Sequence, residues 1–131
     1  MAVIVVIDDN TPIRQMVRRI LSKDGHEVIE AADGRVVRKL LEKHRPDLVI
    51  TDIFMPNSDG IEVIRQTRNA SPKTPIIAMT GSNPIREELY LRAASELGAD
   101  ATIKKPFRVG EMREIVQRLL ANPPSEKASG G

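Results

Sequence analysis

The sequence predicts an α/β protein in which a parallel sheet carries helices on both of its faces. Two observations support this fold class. Short apolar runs that are rich in β-branched residues alternate five times with segments whose apolar residues recur at helical spacing. The strand runs also lack polar alternation, which is typical of strands buried on both faces and joined by right-handed crossovers. A chain of 131 residues is long enough for one such domain.

The first predicted strand is Val-Ile-Val-Val-Ile at residues 3–7, and it ends at Asp8-Asp9-Asn10. A helix is predicted next, because Thr11 is suited to its N-cap and Pro12 to its first position. The Asp-Gly pair at residues 24–25 ends this helix. Its apolar residues predict a single buried stripe, formed by Ile13, Met16, Val17, Ile20 and Leu21.

The same pattern continues through four more strand–helix units. Asp59 is predicted to cap the third helix, and Gly98 to end the fourth. The four strands contain residues 28–29, 48–50, 76–79 and, more weakly, 101–103. The four helices carry apolar stripes formed by Val36, Val37, Leu40 and Leu41, by Ile61, Val63 and Ile64, by Ile85, Leu89, Ala93 and Leu97, and by Val109, Met112, Val116, Leu119 and Leu120.

Residues 1–121 are predicted to form the domain, because no repeat or low-complexity block interrupts them. Residues 122–131 read Asn-Pro-Pro-Ser-Glu-Lys-Ala-Ser-Gly-Gly, a composition that does not form a packed element. We expect a disordered C-terminal tail or the beginning of a linker there.

Composition excludes several classes of function. The chain has no cysteine, which excludes disulfides, Cys-ligated zinc, iron–sulfur clusters and thiol catalysis. It has three aromatic residues and a net charge of +2 without a concentrated basic run, so direct nucleic-acid binding is not expected. The longest apolar run, residues 2–7, is too short for a membrane span or a signal peptide. We therefore expect a cytoplasmic protein without membrane insertion.

Polar residues follow four of the predicted strands. Asp8 and Asp9 come after the first strand, Asp52 after the third, Thr80 after the fourth and Lys105 after the fifth. In an open parallel sheet, ligands bind at the carboxyl ends of the strands. Carboxylates that converge there raise one another's pKa unless a cation neutralises them, and Mg²⁺ prefers such oxygen ligands. The pattern predicts a magnesium and phosphate site at this edge.

Each of these residues also has a simpler interpretation. Asp8, Asp9 and Asn10 suit a turn and a helix cap, Asp52 suits a strand-end turn, and Thr80 precedes a glycine. Lys104-Lys105 would ordinarily be a solvated pair. The functional interpretation is favoured because the simpler one must be repeated independently at four strand ends.

The sequence resembles a response-regulator receiver domain of the chemotaxis CheY type. The resemblance is carried by Ile7-Asp8-Asp9, by Asp52-Ile53-Phe54-Met55-Pro56-Asn57-Ser58-Asp59-Gly60, by Met79-Thr80-Gly81 and by Lys105-Pro106-Phe107. It covers residues 2–121 and implies a flavodoxin-like, doubly wound sheet of five strands in the order 2-1-3-4-5, with five helices.

The resemblance also implies roles for individual residues. Asp52 corresponds to the phosphoacceptor, which receives a phosphoryl group from a phosphohistidine on a sensor histidine kinase or a histidine phosphotransfer protein. Thr80 corresponds to the switch hydroxyl, and Lys105 to the cation that stabilises the phosphoryl oxygens. Such a domain signals to an output protein through altered contacts and is not an enzyme, although it assists its own phosphorylation and dephosphorylation.

The metal ligands implied by the resemblance are Asp9, Asp52 and the backbone carbonyl of Phe54. Asp8 would act on Mg²⁺ through a bound water or directly. The family also commonly has a cis peptide bond at the position of Lys105–Pro106.

The sequence departs from the family pattern at two places. The aromatic residue usually found three positions before the lysine is replaced by Thr102, so no ring can move inward after Thr80. Either the output relies on the loop after Thr80, or phosphorylation moves the face of the fourth helix little. The interval from Thr80 to Lys105 is also longer than is common. The extra residues are predicted to lie in Ser82-Asn83-Pro84 or to lengthen the helix that follows.

Three alternative functions fit the sequence less well than a phosphorylatable receiver. A docking adaptor that acts without phosphorylation has no need of the complete set of polar residues. A phosphatase with an aspartate nucleophile would carry an Asp-x-Asp motif and a cap domain, whereas Asp8 and Asp9 are adjacent. A flavin-binding protein would need a hydroxyl-rich phosphate loop after the first strand, where an acidic pair would repel phosphate.

Overall fold

The computed structural model describes residues 1–55, 58–81 and 84–121. A central parallel sheet consists of β1 (Val3–Ile7), β2 (Glu27–Ala31), β3 (Leu48–Asp52), β4 (Ile76–Thr80) and β5 (Ala101–Lys104). In the described part of the chain, five α-helices alternate with these strands. They are α1 (Thr11–Lys23), α2 (Val37–His44), α3 (Gly60–Ala70), α4 (Pro84–Leu97) and α5 (Val109–Ala121). The predicted β–α alternation is confirmed.

The strand order is β2-β1-β3-β4-β5, which is the doubly wound, flavodoxin-like order implied by the family resemblance. Each neighbouring pair is parallel, and the register places Ile7 opposite Thr51 and Asp52 opposite Met79. Thr80 lies opposite Lys104 at the end of the next pair. Because these pairs align the strand ends, the residues that follow β1, β3, β4 and β5 meet at one edge of the sheet.

Alternate residues of each strand pack against helices on opposite faces. Ile4 and Val6 lie in a cluster with the apolar residues of α1 and α5, whereas Val5 and Ile7 pack with α2 and α3. The β1 residues 4–7 are fully buried, which confirms the prediction that this strand has no solvent-facing side. A third cluster, around Ile64 and Ala94, packs α3 and α4 against β4.

Several helix details differ from the predictions. The N-cap of α1 is Asn10 and not Thr11, because the Asn10 side chain accepts a hydrogen bond from the Ile13 amide. Four residues that were predicted to belong to buried stripes are exposed: Met16 is 36%, Val36 39%, Leu89 68% and Val109 52% exposed. Val36 belongs to a short 3₁₀ turn that precedes α2 and not to the helix itself. Leu89 is five positions before the buried Ala94, so the two side chains point to different sides of α4.

Some predictions lie outside the described residues. They include the tail at 122–131, the placement of extra residues at 82–83, and the capping role of the Asp59 side chain. The domain boundary at residue 121 stays a prediction. None of the helices within the described ranges is long and apolar enough to cross a lipid bilayer.

Gly60 allows α3 to begin directly against the backbone of β3. The Gly60 amide donates to the Ile53 carbonyl at 3.0 Å. A Cβ at this position would lie 2.5 Å from Ile53 Cα and closer still to the Asp52 carbonyl oxygen. Since both contacts are to backbone, the chain has no flexible group that can move aside. Glycine at residue 60 therefore keeps the start of α3 against the end of β3.

We expect Gly60→Ala to lower the free energy of unfolding by about 3 kcal/mol, because the new methyl group overlaps backbone atoms. The matched control is Gly110→Ala in α5, where a Cβ meets nothing within 4 Å. Higher helix propensity should make that variant about 0.5 kcal/mol more stable. Urea unfolding followed by circular dichroism measures both changes. Equal stability of the two variants would contradict the close contact between residue 60 and the backbone of residues 52–53.

Candidate functional site

Three aspartates converge where β1 and β3 end. Asp8 follows β1 and is fully buried, Asp52 is the last residue of β3 and is 4% exposed, and Asp9 is exposed. Their side chains each offer a carboxylate oxygen, and these oxygens lie within 4.8 Å of one another. The structure therefore brings together the three predicted metal-binding carboxylates, although Asp52 is more than forty residues from the adjacent pair Asp8-Asp9 in the sequence.

Lys105 provides a positive charge inside this acidic cluster. Its Nζ lies 2.7 Å from Asp8 Oδ2 and 3.2 Å from Asp52 Oδ1, and its side chain is 13% exposed. The Lys105 amide donates to the Thr80 carbonyl at 2.8 Å, which ties the residue to the end of β4. The bond from Lys105 to Pro106 is cis, as the family resemblance implied. Lys105 is thus held in place and is not a solvated surface lysine.

Both carboxylate oxygens of Asp8 have hydrogen-bond partners. Oδ1 accepts the Asn10 amide at 2.9 Å, and Oδ2 accepts Lys105 Nζ at 2.7 Å. The Asp8 amide in turn donates to the Ala31 carbonyl at 3.0 Å. Asp8 therefore stabilises the turn before α1, as its simpler interpretation predicted, and also belongs to the acidic cluster.

Asp52 is less well satisfied than Asp8. Among the described residues, no donor meets hydrogen-bond geometry at its buried Oδ1, and the one cation beside it is Lys105, whose Nζ lies 3.2 Å away. Burial raises the pKa of Asp52 to about 6, and repulsion by Asp8 acts in the same direction, while Lys105 partly opposes both. Asp52 is thus a buried carboxylate that lacks a full complement of partners.

The donor set fits a hard divalent cation. Only oxygen ligands are offered, three carboxylates lie close together, and one buried oxygen of Asp52 is without a hydrogen bond among the described residues. Mg²⁺ is bound in proteins by such carboxylates together with water. The exposed Asp9 and the unsatisfied oxygen of Asp52 are the groups with most capacity to take part.

Thr80 and Phe54 lie beside the cluster in the fold. Thr80 is 2% exposed, and its hydroxyl is 3.5 Å from the Ile103 carbonyl, a distance at the limit for a hydrogen bond. Phe54 comes two residues after Asp52 and begins a two-residue antiparallel pairing with residues 58–59. Thr102, at the position where an aromatic residue is usual, is partly buried and lies opposite Ala78 in the sheet.

Arg14, which the pattern of polar residues at the strand ends does not indicate, contacts the backbone of the acidic pair. Its Nη1 donates to the Asp8 carbonyl at 2.7 Å. The available signal was its place in the first turn of a helix that begins directly after Asp8-Asp9-Asn10. A residue so placed lies within reach of the loop.

Residues 4–117 match the family model described as the response regulator receiver domain. The chain belongs to this family. Response regulator MprA of Mycolicibacterium vanbaalenii is 35% identical over 127 residues, which are 97% of this chain and 54% of that protein. Response regulator MprA of Mycobacterium tuberculosis is 34% identical over 126 residues, or 96% of this chain and 54% of that protein. The receiver domain therefore spans about half the length of these curated relatives.

Solved structures agree with this assignment. The receiver domain of NtrX from Brucella abortus has a TM-score of 0.84 and 30% sequence identity, covering 91% of this chain and 98% of that one. The chemotaxis response regulator CheY4 of Vibrio cholerae has a TM-score of 0.80 and 32% identity, with coverage of 91% and 98%. The fold and the family predicted from the sequence are confirmed: residues 4–117 belong to the receiver domains of two-component response regulators.

Asp52→Asn should stabilise the receiver domain at neutral pH in the absence of divalent cations. The pKa of Asp52 rises on folding from an ordinary 3.8 to about 6, so ionised Asp52 disfavours the folded state above pH 6. Wild-type stability should therefore fall as pH rises from about 4 to 6. The variant removes this cost, which corresponds to about 2 to 3 kcal/mol at pH 7.5.

Urea unfolding at several pH values tests this expectation. The difference between Asp52→Asn and the wild type should shrink toward zero as the pH falls from about 6 to 4. Glu42→Gln, which alters an exposed carboxylate on α2, is the control and should change stability by less than about 0.5 kcal/mol at every pH. If Asp52→Asn is less stable than the wild type at pH 7.5, the prediction is wrong, because ionised Asp52 would then stabilise the folded state.

Proposed function

We propose that this receiver domain accepts a phosphoryl group onto Asp52 from a phosphohistidine donor and signals by changing its contacts with an output protein. The observation that carries the proposal is the position of the Asp52 carboxylate. It is buried at the end of β3, has an oxygen without a hydrogen bond from the described residues, and lies 3.2 Å from Lys105 Nζ. A nucleophile and a cation for the phosphoryl oxygens are thus adjacent.

The reaction follows from these residues. An oxygen of ionised Asp52 attacks the phosphorus, the bond from phosphorus to the donor's imidazole nitrogen breaks, and an aspartyl phosphate forms. Lys105 stabilises the charge on the transferred oxygens, since its ammonium group is already held between Asp8 and Asp52. Asp9, Asp52 and the Phe54 carbonyl would hold Mg²⁺, with Asp8 acting directly or through water. When bound, the ion supplies positive charge that offsets the crowded carboxylates.

Thr80 is proposed as the residue that senses the phosphoryl group. Its hydroxyl is buried and makes only a long contact with the Ile103 carbonyl, so little is lost when it turns toward a phosphoryl oxygen. Thr102 has no ring that can follow this motion. The response is therefore proposed to pass through the backbone after Thr80.

The partners are proposed from the family. A sensor histidine kinase or a histidine phosphotransfer protein would be the donor, in the cytoplasm, and an unidentified protein would be the target of the output. The alternative is a docking adaptor that uses the same fold without phosphorylation. It is less well supported because a buried, incompletely satisfied Asp52 carboxylate disfavours the folded state unless it has another use.

Incubation with Mg²⁺ and acetyl phosphate, followed by intact-mass measurement, tests the proposal. The wild type should gain one phosphoryl group, and Asp52→Asn should gain none, because it lacks the nucleophile. Asp47→Asn is the matched control, since Asp47 precedes β3 at the opposite edge of the sheet. It should be phosphorylated like the wild type. No gain at any Mg²⁺ concentration would favour the docking adaptor instead.

Lys105→Ala should separate phosphorylation from the response. The variant retains Asp52 as a nucleophile but lacks the ammonium group that would bind the phosphoryl oxygens and connect them to the end of β4. We expect the folded variant to accept a phosphoryl group, more slowly than the wild type, without the amide chemical-shift changes around Thr80 that the phosphorylated wild type shows. Shift changes identical to those of the wild type would contradict this role.

A further inference from the structure

Arg14 on α1 contacts two groups next to the acidic cluster, a backbone carbonyl and a carboxylate. Its Nη1 donates to the Asp8 carbonyl at 2.7 Å, and its Nε donates to Glu30 Oε1 at 3.1 Å. The side chain is 13% exposed, so these contacts are largely shielded from solvent. The other oxygen of Glu30 accepts Arg18 Nη1 at 2.9 Å. Glu30 thereby orients the guanidinium group that holds the Asp8 carbonyl.

These contacts close a ring between β1, β2 and α1. The Asp8 amide donates to the Ala31 carbonyl, Ala31 follows Glu30 in β2, Glu30 binds Arg14, and Arg14 returns to the Asp8 carbonyl. The ring holds the Asp8 carbonyl, which belongs to the peptide unit between Asp8 and Asp9. Because this peptide unit joins the Cα atoms of Asp8 and Asp9, holding it in place also limits the positions of both side chains.

We propose that Arg14, oriented by Glu30, is a positioning residue that sets the geometry of Asp8 and Asp9 and thereby strengthens divalent-cation binding at the acidic cluster. The inference rests on the proposed function, because it assumes that these carboxylates bind a cation. Arg14 acts through the backbone: within the described part of the chain, its hydrogen bonds go to the Asp8 carbonyl and to Glu30, and not to the carboxylate oxygens of the cluster. Partners that orient metal ligands commonly change affinity by tenfold or more when they are removed.

A simple charge effect predicts the opposite result. Arg14 is a cation near three carboxylates, and its electrostatic field alone repels Mg²⁺. If the charge were its only contribution, Arg14→Ala would tighten Mg²⁺ binding. If positioning dominates, the same variant weakens it. Arg14→Lys keeps the charge but lacks the planar fork that reaches Glu30 and the Asp8 carbonyl together, so positioning predicts weaker binding there too.

The test is an Mg²⁺ titration of the unphosphorylated protein, followed through the amide resonances of Asp9, Asn10 and Phe54 by nuclear magnetic resonance. We expect the dissociation constant to rise about tenfold in Arg14→Ala, and to rise in Arg14→Lys and Glu30→Gln as well. Arg18→Ala is the matched control. Arg18 binds the same glutamate and is more exposed, and its bond with Glu30 does not involve Asp8. Its dissociation constant should stay within about twofold of the wild type.

The outcomes separate this inference from the proposed function. If the wild type binds Mg²⁺ and the Arg14 variants bind it equally well or more tightly, the positioning role is wrong and the proposed metal site stands. If the wild type does not bind Mg²⁺, the proposed metal site is wrong and the inference fails with it. Should Arg14→Ala not fold, as its spectrum would show, Arg14→Lys decides the question, because it keeps the charge and changes only the geometry.

Discussion

The ion pairs of Lys105 with Asp8 and Asp52 are the interaction on which the site depends. Three carboxylates at one edge of a sheet repel one another, and two of them are removed from solvent. Lys105 offsets part of this cost, yet the pKa of Asp52 remains raised to about 6. Both carboxylate oxygens of Asp8 accept hydrogen bonds, whereas Asp52 Oδ1 accepts none from the described residues. This difference distinguishes Asp8, a structural carboxylate, from Asp52, which is available for chemistry.

The sheet topology is what makes this arrangement possible. Because β1 lies next to β3 and β4 lies next to β5, residues that are distant in sequence end at the same edge. The loops then have to remain close to that edge. At the start of α3, Gly60 makes this possible because it has no side chain, and a Cβ there would overlap the Asp52 carbonyl oxygen. On the other side, Arg14 and Glu30 hold the loop after β1.

Much of this architecture could be predicted from the sequence, because buried parallel strands and amphipathic helices leave strong patterns. The polar residues at four strand ends also predicted which groups would meet. Finer features were less accessible. Asn10 and Thr11 are both suited to capping a helix, and the hydrogen bond to Ile13 decides between them. The exposure of Leu89 depends on how α4 is rotated on the sheet, and the contact of Arg14 depends on the neighbouring strand β2. The periodicity of apolar residues along one helix predicts neither the rotation of that helix nor its contacts with another strand.

Of the three neighbouring aspartates, we propose that Asp52 alone becomes the phosphoacceptor. Borohydride reduction converts an aspartyl phosphate to homoserine, so peptide mapping after phosphorylation and reduction identifies the modified residue directly. We expect homoserine at position 52 and unchanged aspartate at positions 8 and 9. Homoserine at position 8 or 9 would contradict it, because the nucleophile would then be a carboxylate other than the buried, incompletely partnered one.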